Sequence, residues 1–298
     1  MADRFLHFIV NPYAGADAGR YAILKIREIV KRGAGDMNIL RKGEDATIVA
    51  EQALRRGATD IIAVGGDGTV SGVASALVDE NVNLGIIPTG TANMFARELD
   101  IPILVIESLD LIMGEHDIRY VDLMDINGRK FIHQIILGAS SEALSRVTPQ
   151  EKRLLRRSVY VLMGLHMFHY FKPMKIHAMI DDVNVNGWAS QILIANSGIL
   201  GIRSLRLGPS IRVDDGIVNI IFMCGKSKAQ FILAGLHLIS GLHGMSNLLD
   251  FHTANRSIRI ETEPTTIIRA DGEFIDTTPL DLTVLPASVR IIVPRNIQ

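Results

Sequence analysis

The chain has 298 residues, 48% of them hydrophobic, which is enough to bury a large core and to build two domains. A formal net charge of −1 argues against general nucleic-acid binding, which needs a basic surface. The single cysteine, Cys224, excludes an internal disulfide and a cysteine-based zinc site, and fits a reduced, cytoplasmic setting.

The opening MADRFLHFIV holds an acidic residue and only a short apolar run before Asn11-Pro12, so no signal peptide is expected. Residues 5–10 read as a strand, followed by the turn Asn11-Pro12-Tyr13-Ala14-Gly15 and a helix over 21–31. A second strand is expected at 37–40 and a helix at 45–56. Next comes DIIAVGGDGT, residues 60–69, in which a short buried strand runs into Gly65, Gly66, Asp67, Gly68 and Thr69. Residues 70–78 open a helix for which Thr69 or Ser71 suits the N-cap. A further strand, 84–87, leads through Pro88-Thr89-Gly90-Thr91-Ala92-Asn93 into a helix at 94–99, which Thr91 could cap. Three strands each followed by a small-residue loop and a helix start predict a parallel α/β sheet, with the loops gathered at the carboxyl ends of the strands.

The texture changes near residue 120. Asn127-Gly128 between apolar runs is a two-residue hairpin signal. Strands are expected at 175–180, 189–195, 218–223, 257–260, 265–268, 280–285 and 289–293, with helices near 150–171 and 228–249. The prediction is an α/β domain over 1–120 and a β-rich, sandwich- or barrel-like domain over 121–298, whose last strand can return to the first domain. The longest apolar stretches, 158–171 and 231–245, contain histidines and fall short of a membrane span.

Strand, glycine loop and helix together aim backbone N–H groups and a positive helix end at an anion. Asp67 is the odd member of its loop, because a carboxylate beside a phosphate is repelled unless it holds a metal, accepts a proton or is neutralised. As a loop residue it is expected to contribute little to packing. Asp214 and Asp215 stand side by side in a turn, as suits a hard cation and equally suits a hairpin. Asp271-Gly272-Glu273 is a second acidic turn, and Glu273 and Asp67 are candidate proton acceptors for a hydroxyl nucleophile. Lys152, Arg153, Arg156 and Arg157 precede an apolar helix face, read as core packing with a basic end or as contact with an anionic membrane. His166, His169, His237 and His243 read as packing or surface residues.

Taken in order, NPYAG, GGDGT, PTGTANMFAREL, VDDGIVNI and ADGEF resemble the diacylglycerol kinase catalytic family, in particular the soluble bacterial lipid kinases, with sphingosine kinases as more distant relatives. The resemblance implies a nucleotide-binding first domain, a β-rich lipid-substrate domain and an active site in the cleft between them. ATP would be bound by Asn11, Pro12, Gly15, Gly65, Gly66, Asp67, Gly68, Thr69, Ser71, Gly90, Thr91 and Asn93. A structural Mg²⁺ would take the carboxylate of Asp215 and the carbonyls of Arg212 and Ile217. Glu273 would be the proton acceptor, with Asp67 assisting at the phosphates. The chain departs from the family pattern at Ser71-Gly72, where an acidic residue is common, at 138–143 and at 197–201; the last two bear on the substrate more than on phosphotransfer.

The expected activity is therefore ATP-dependent phosphorylation of a diacylglycerol- or sphingosine-like lipid, presented at the inner face of a membrane that the protein touches peripherally. No nucleic-acid partner is expected, and a homodimer is left open. An NAD kinase is the alternative enzyme, although the N-x-G-x-L-G-F stretch is missing. A nucleotide- or lipid-binding regulator without activity is the alternative from another class.

Overall fold

The computed structural model describes residues 4–146, 171–200, 202–207, 211–240 and 246–295. Its first half alternates β1 (Leu6–Val10), α1 (Ala16–Lys31), β2 (Gly35–Ile39), α2 (Ala46–Arg55), β3 (Asp60–Gly65), α3 (Asp67–Ala76) and β4 (Asn83–Pro88), followed by α4 (Met94–Glu98) and α5 (Val105–Met113). The strands pair in parallel in the order β2-β1-β3-β4. Every residue of β1 and β3 is buried, because helices cover both faces of a parallel sheet. The two-residue period of a strand sorts their side chains. Phe8, Val10, Ile62 and Val64 pack on Ala22 and Ile26 of α1 and Leu109 and Ile112 of α5, whereas Ile9, Ile61 and Ala63 pack on Val49 and Ala53 of α2, Val73 of α3 and Leu77 at its C-cap.

The second half comprises β5 (Asp117–Ile126), β6 (Arg129–Phe131), β7 (Gln134–Gly138), α6 (Ala139–Arg146), β8 (Met174–Ile180), β9 (Val183–Ala189), β10 (Gln191–Ala195), β11 (Ile199–Leu200), β12 (Ile202–Arg206), β13 (Val218–Met223), α7 (Lys228–Ile239), β14 (Leu249–Ala254), β15 (Ser257–Glu263), β16 (Ile267–Ala270), β17 (Glu273–Thr277) and β18 (Leu280–Val293). β18 joins β4 in parallel, with Ile291 opposite Leu84, and runs antiparallel to β5 and β15. One ten-stranded sheet therefore continues from the α/β half through β18 into β15, β8 and β9. A six-stranded antiparallel sheet, β14-β13-β10-β7-β16-β17, packs on that second part. Ile176, Ile258, Ile260 and Leu282 on one face meet Ile135, Leu137, Ile194 and Phe222 on the other, which makes this half a β-sandwich. Both Asn127 and Gly128 have positive φ (53° and 86°), as the two-residue turn between β5 and β6 requires.

Several local expectations are corrected. The N-cap of α3 is Gly66, with the helix starting at Asp67, because Thr69 and Ser71 use their hydroxyls on Asn11 and Asp271. The N-cap of α4 is Asn93, at φ 48°, rather than Thr91. The helix expected over 228–249 ends at Ile239, and Leu249 already pairs with Met223 as the start of β14. The strands expected at 280–285 and 289–293 are one strand with an irregular step between Leu285 and Val289. The helix expected at 150–171, with its basic cluster, lies outside the described residues apart from Phe171, whose ring stands 5.4 Å from Phe231. Among the described residues no helix is long and apolar enough to cross a membrane.

Candidate functional site

The ends of β1, β3 and β4 meet at one edge of the sheet, and the glycines are there because backbones touch. A Cβ on Gly15 (φ 55°) would lie 1.8 Å from the carbonyl oxygen of Thr89, and one on Gly90 would lie 2.5 Å from Cα of Gly66. Gly65 is equally confined, with Thr69 Oγ1 at 2.4 Å from the position of a Cβ. Asn11 ties the first loop to the second: its N–H donates to the Val64 carbonyl (2.8 Å) and its Nδ2 to Thr69 Oγ1 (3.0 Å), while its Oδ1 accepts from the N–H of Tyr13 (3.0 Å). Asn93 closes the third loop by donating from Nδ2 to the carbonyl of Gly90 (2.9 Å). Gly68 differs from Gly15, Gly65, Gly66 and Gly90, since a Cβ there would meet nothing within 4 Å.

The first two of these loops line a cavity of about 760 Å³, to which the third contributes no residue; the lining includes Asn11, Gly66, Gly68, Ser71, Asp271 and Glu273. Thr69 lines it as well; Gly15, Gly65, Gly90 and Asn93 shape the loops behind it, and Pro12 and Thr91 belong to those loops without lining it. Arg97 braces the third loop by donating from Nε to the Ala92 carbonyl (3.0 Å).

Asp67 is not a loosely held loop residue. Its side chain is 18% exposed, and Oδ1 accepts the N–H of Phe95 (3.1 Å) in the first turn of α4. Nε2 of His133, whose side chain is 3% exposed, stands 3.5 Å from the same oxygen, an ionic contact longer than a normal hydrogen bond. Burial works against the Asp67 anion, but His133 and the N–H groups of Phe95 and Met94 outweigh it, so its pKa lies below the usual carboxylate range. Burial likewise opposes the His133 cation, and Asp67, Asp271 and Glu98 reverse this, raising its pKa. His133 escaped the sequence reading, because a lone histidine in FIHQ carries no motif.

The two acids of the second turn have separate situations. Asp271 accepts four hydrogen bonds, from the N–H groups of His133 (3.0 Å) and Gln134 (3.1 Å) on Oδ1, and from the N–H of Ile132 (3.0 Å) and the hydroxyl of Ser71 (2.9 Å) on Oδ2. Its oxygens are fully engaged in joining α3 to the segment before β7. Glu273 is exposed at the rim of the cavity and pairs with Arg129 (3.0 Å).

The loop 212–217 stands apart, and none of its residues lines the cavity. Asp215 Oδ1 accepts the N–H of Ile217 (3.1 Å), and Arg212 donates from Nε to Asp214 (3.0 Å). Asp122, buried beneath, accepts from Gly216 and Ala287, each at 2.7 Å. Burial, then the neighbouring Asp214, raises the pKa of Asp215; burial, then Asp215 and Asp214, raises that of Asp122. Oxygen donors that repel one another suit a hard cation held by one carboxylate, carbonyls and water. Among the described residues no three metal-ligating side chains form a cluster that could hold a metal without such help.

The diacylglycerol kinase catalytic domain matches residues 5–126, and the YegS C-terminal NAD kinase beta sandwich-like domain matches residues 134–293. A diacylglycerol kinase of Bacillus subtilis is 27% identical over 255 residues, covering 85% of this chain and 83% of the relative. A probable YegS-like lipid kinase of Pseudomonas aeruginosa is 27% identical over 294 residues, covering 98% and 95%. The crystal structure of a putative diacylglycerol kinase from Bacillus anthracis superposes with a TM-score of 0.81 at 25% identity, covering 99% of this chain and 97% of that one. With both halves of the fold matched in order, the chain belongs to the diacylglycerol kinase catalytic domain family and carries a YegS-type C-terminal domain.

Proposed function

We propose that this protein is an ATP-dependent lipid kinase that transfers the γ-phosphate to a hydroxyl of a diacylglycerol- or sphingosine-like lipid. The observation that carries the reading is the mutual contact of the loops ending β1, β3 and β4, the first two of which line a cavity that reaches Glu273. ATP would supply the phosphoryl group, and a divalent cation would offset its charge. Gly66, Gly68 and the N-terminus of α3 offer backbone N–H groups where that charge collects. Asn11 and Thr69 fix the loops against each other, so the groups facing the phosphates are set before substrate arrives. Glu273, exposed at the rim and not consumed by backbone donors as Asp271 is, takes the proton of the lipid hydroxyl. Asp215, with the carbonyls of Arg212 and Ile217, would hold a structural Mg²⁺ away from the chemistry.

The exposed cavity mouth fits a substrate delivered from a membrane surface, which the protein would touch from the cytoplasmic side. The test is incubation with radiolabelled ATP and a panel of diacylglycerol, sphingosine, NAD and total lipid extract. Label in a lipid monophosphate supports the reading. Label in NADP replaces it with the NAD kinase alternative, and no ATP-dependent product from any acceptor refutes the enzyme.

A further inference from the structure

Asp67 lies between Gly66 and Gly68, which line the cavity, while its own carboxylate turns inward to the start of α4. An anion held there needs a partner, and Asp67 has one that comes from the other half of the chain. Among the described residues, the basic side chain within ion-pair distance of Asp67 is His133, at 3.5 Å. Its ring is buried, and neither nitrogen has a hydrogen-bond partner among the described residues. The ring cannot swing away. It stands edge-on to Phe95 (5.3 Å between centroids, planes at 84°), the residue whose N–H also binds Asp67. Its own backbone N–H is held by Asp271, which holds those of Ile132 and Gln134 as well and takes the hydroxyl of Ser71 on α3.

We propose that His133 is the positioning residue for Asp67: an imidazolium delivered from the segment before β7 that neutralises and orients the carboxylate beside the phosphate loops. The segment bearing His133 enters the second sheet, so seating that sheet completes the nucleotide site. Asp271 acts one step further back, since it fixes the backbone that presents the ring. The acidic groups facing the imidazole are Asp67 on α3, Asp271 in the turn between β16 and β17, and Glu98 on α4; all three favour its charged form. When His133 loses its proton, Asp67 becomes an uncompensated anion next to bound phosphates, and nucleotide affinity falls.

The structural arm of the test does not depend on the lipid kinase reading. Imidazole NMR of ¹⁵N-histidine-labelled full-length protein should show the His133 titration midpoint drop by about 1 pH unit or more in Asp67→Asn, the usual effect of losing an adjacent opposite charge. The functional arm measures ADP affinity by calorimetry from pH 6 to pH 9. Wild type should bind more weakly as pH rises through the His133 midpoint. His133→Gln should bind about tenfold more weakly at pH 6, as expected for losing ~1.4 kcal/mol, and show a flat profile. Near-UV circular dichroism establishes that each variant is folded; should His133→Gln fail to fold, the NMR comparison in Asp67→Asn decides. An unmoved midpoint in Asp67→Asn overturns the proposal, as does a folded His133→Gln with wild-type affinity and pH profile. A wild-type protein that binds no ADP removes the nucleotide reading and leaves the NMR result to decide the pair.

Discussion

Asp271→Asn should be costly for a residue in a surface turn, and the size of the loss follows from its partners. The carboxylate serves three backbone N–H groups and the Ser71 hydroxyl, at 2.9 to 3.1 Å. An asparagine in the same place retains one oxygen able to accept about two of these bonds, while its NH₂ faces donors that need an acceptor. Two donors are stranded, each costing ~1–3 kcal/mol when buried. The side chain is only half-buried and water can reach part of it, which places the total near ~2–4 kcal/mol. Ser71→Ala removes a single donor and leaves the three N–H bonds intact, so ~0.5–1.5 kcal/mol is expected. The double variant should lose less than the sum of the two, because both changes break the same bond. Urea unfolding followed by circular dichroism measures all three, compared at unchanged denaturant slope. An Asp271→Asn protein within about 0.5 kcal/mol of wild type would refute the role given to this carboxylate.

Other variants separate chemistry from architecture. Glu273→Gln should lower kcat by about 10²–10⁴-fold with little change in the KM for ATP, in a steady-state lipid phosphorylation assay; undiminished turnover removes Glu273 as the base. Gly68→Ala should melt like wild type, since a Cβ there meets nothing, yet bind ATP more weakly because the methyl enters the cavity, whereas Gly90→Ala should lose stability as well, its Cβ falling 2.5 Å from Cα of Gly66. Mg²⁺ should raise the melting temperature of wild type and not of Asp215→Asn; equal shifts in both would place the cation elsewhere. For the Asp67–His133 pair, the stability advantage of wild type over His133→Gln should be complete below about pH 6.5, the unfolded histidine value, and vanish as pH rises through the higher midpoint of the folded state. At the acid end, Asp67, with its lowered pKa, contributes stability above its unfolded value near 3.8, and that is lost as pH falls through the folded one. A difference independent of pH would mean that His133 acts through shape alone.

What could be read from residues alone was local. The run Ile61-Ile62-Ala63-Val64 before Gly65-Gly66 is legible as a buried strand entering a close-approach loop, and Gly66 and Gly90 prove to touch. Asn127-Gly128 announced its hairpin. Helix caps were misread where a tertiary partner competed: Thr69 and Ser71 have the chemistry of N-caps, but Asn11 and Asp271 claim their hydroxyls from 58 and 200 residues away. No periodicity carries that information. β14 was hidden for another reason, since its residues LDFHTA, largely exposed, follow an apolar run that looks like a continuing helix. The contrast between Asp271 and Glu273 was invisible too: two acids astride one glycine differ only in which backbone donors the fold brings to them.

The position of β18 has a consequence for how the chain is made. Strand β4 is complete when residue 88 leaves the ribosome, yet its outer neighbour is contributed by residues near 290. During synthesis the parallel sheet therefore waits with an open hydrogen-bonding edge, flanked by the apolar Leu84, Ile86 and Ile87, until about 200 further residues have emerged. Closing a loop of this length is slow, and an exposed edge invites pairing with other chains in the interval. An isolated fragment ending after β5 would keep that edge permanently, since among the described residues β5 itself reaches the sheet only through β18. Such a fragment should aggregate, and its solubility should recover when a peptide spanning residues 280–293 is supplied in trans.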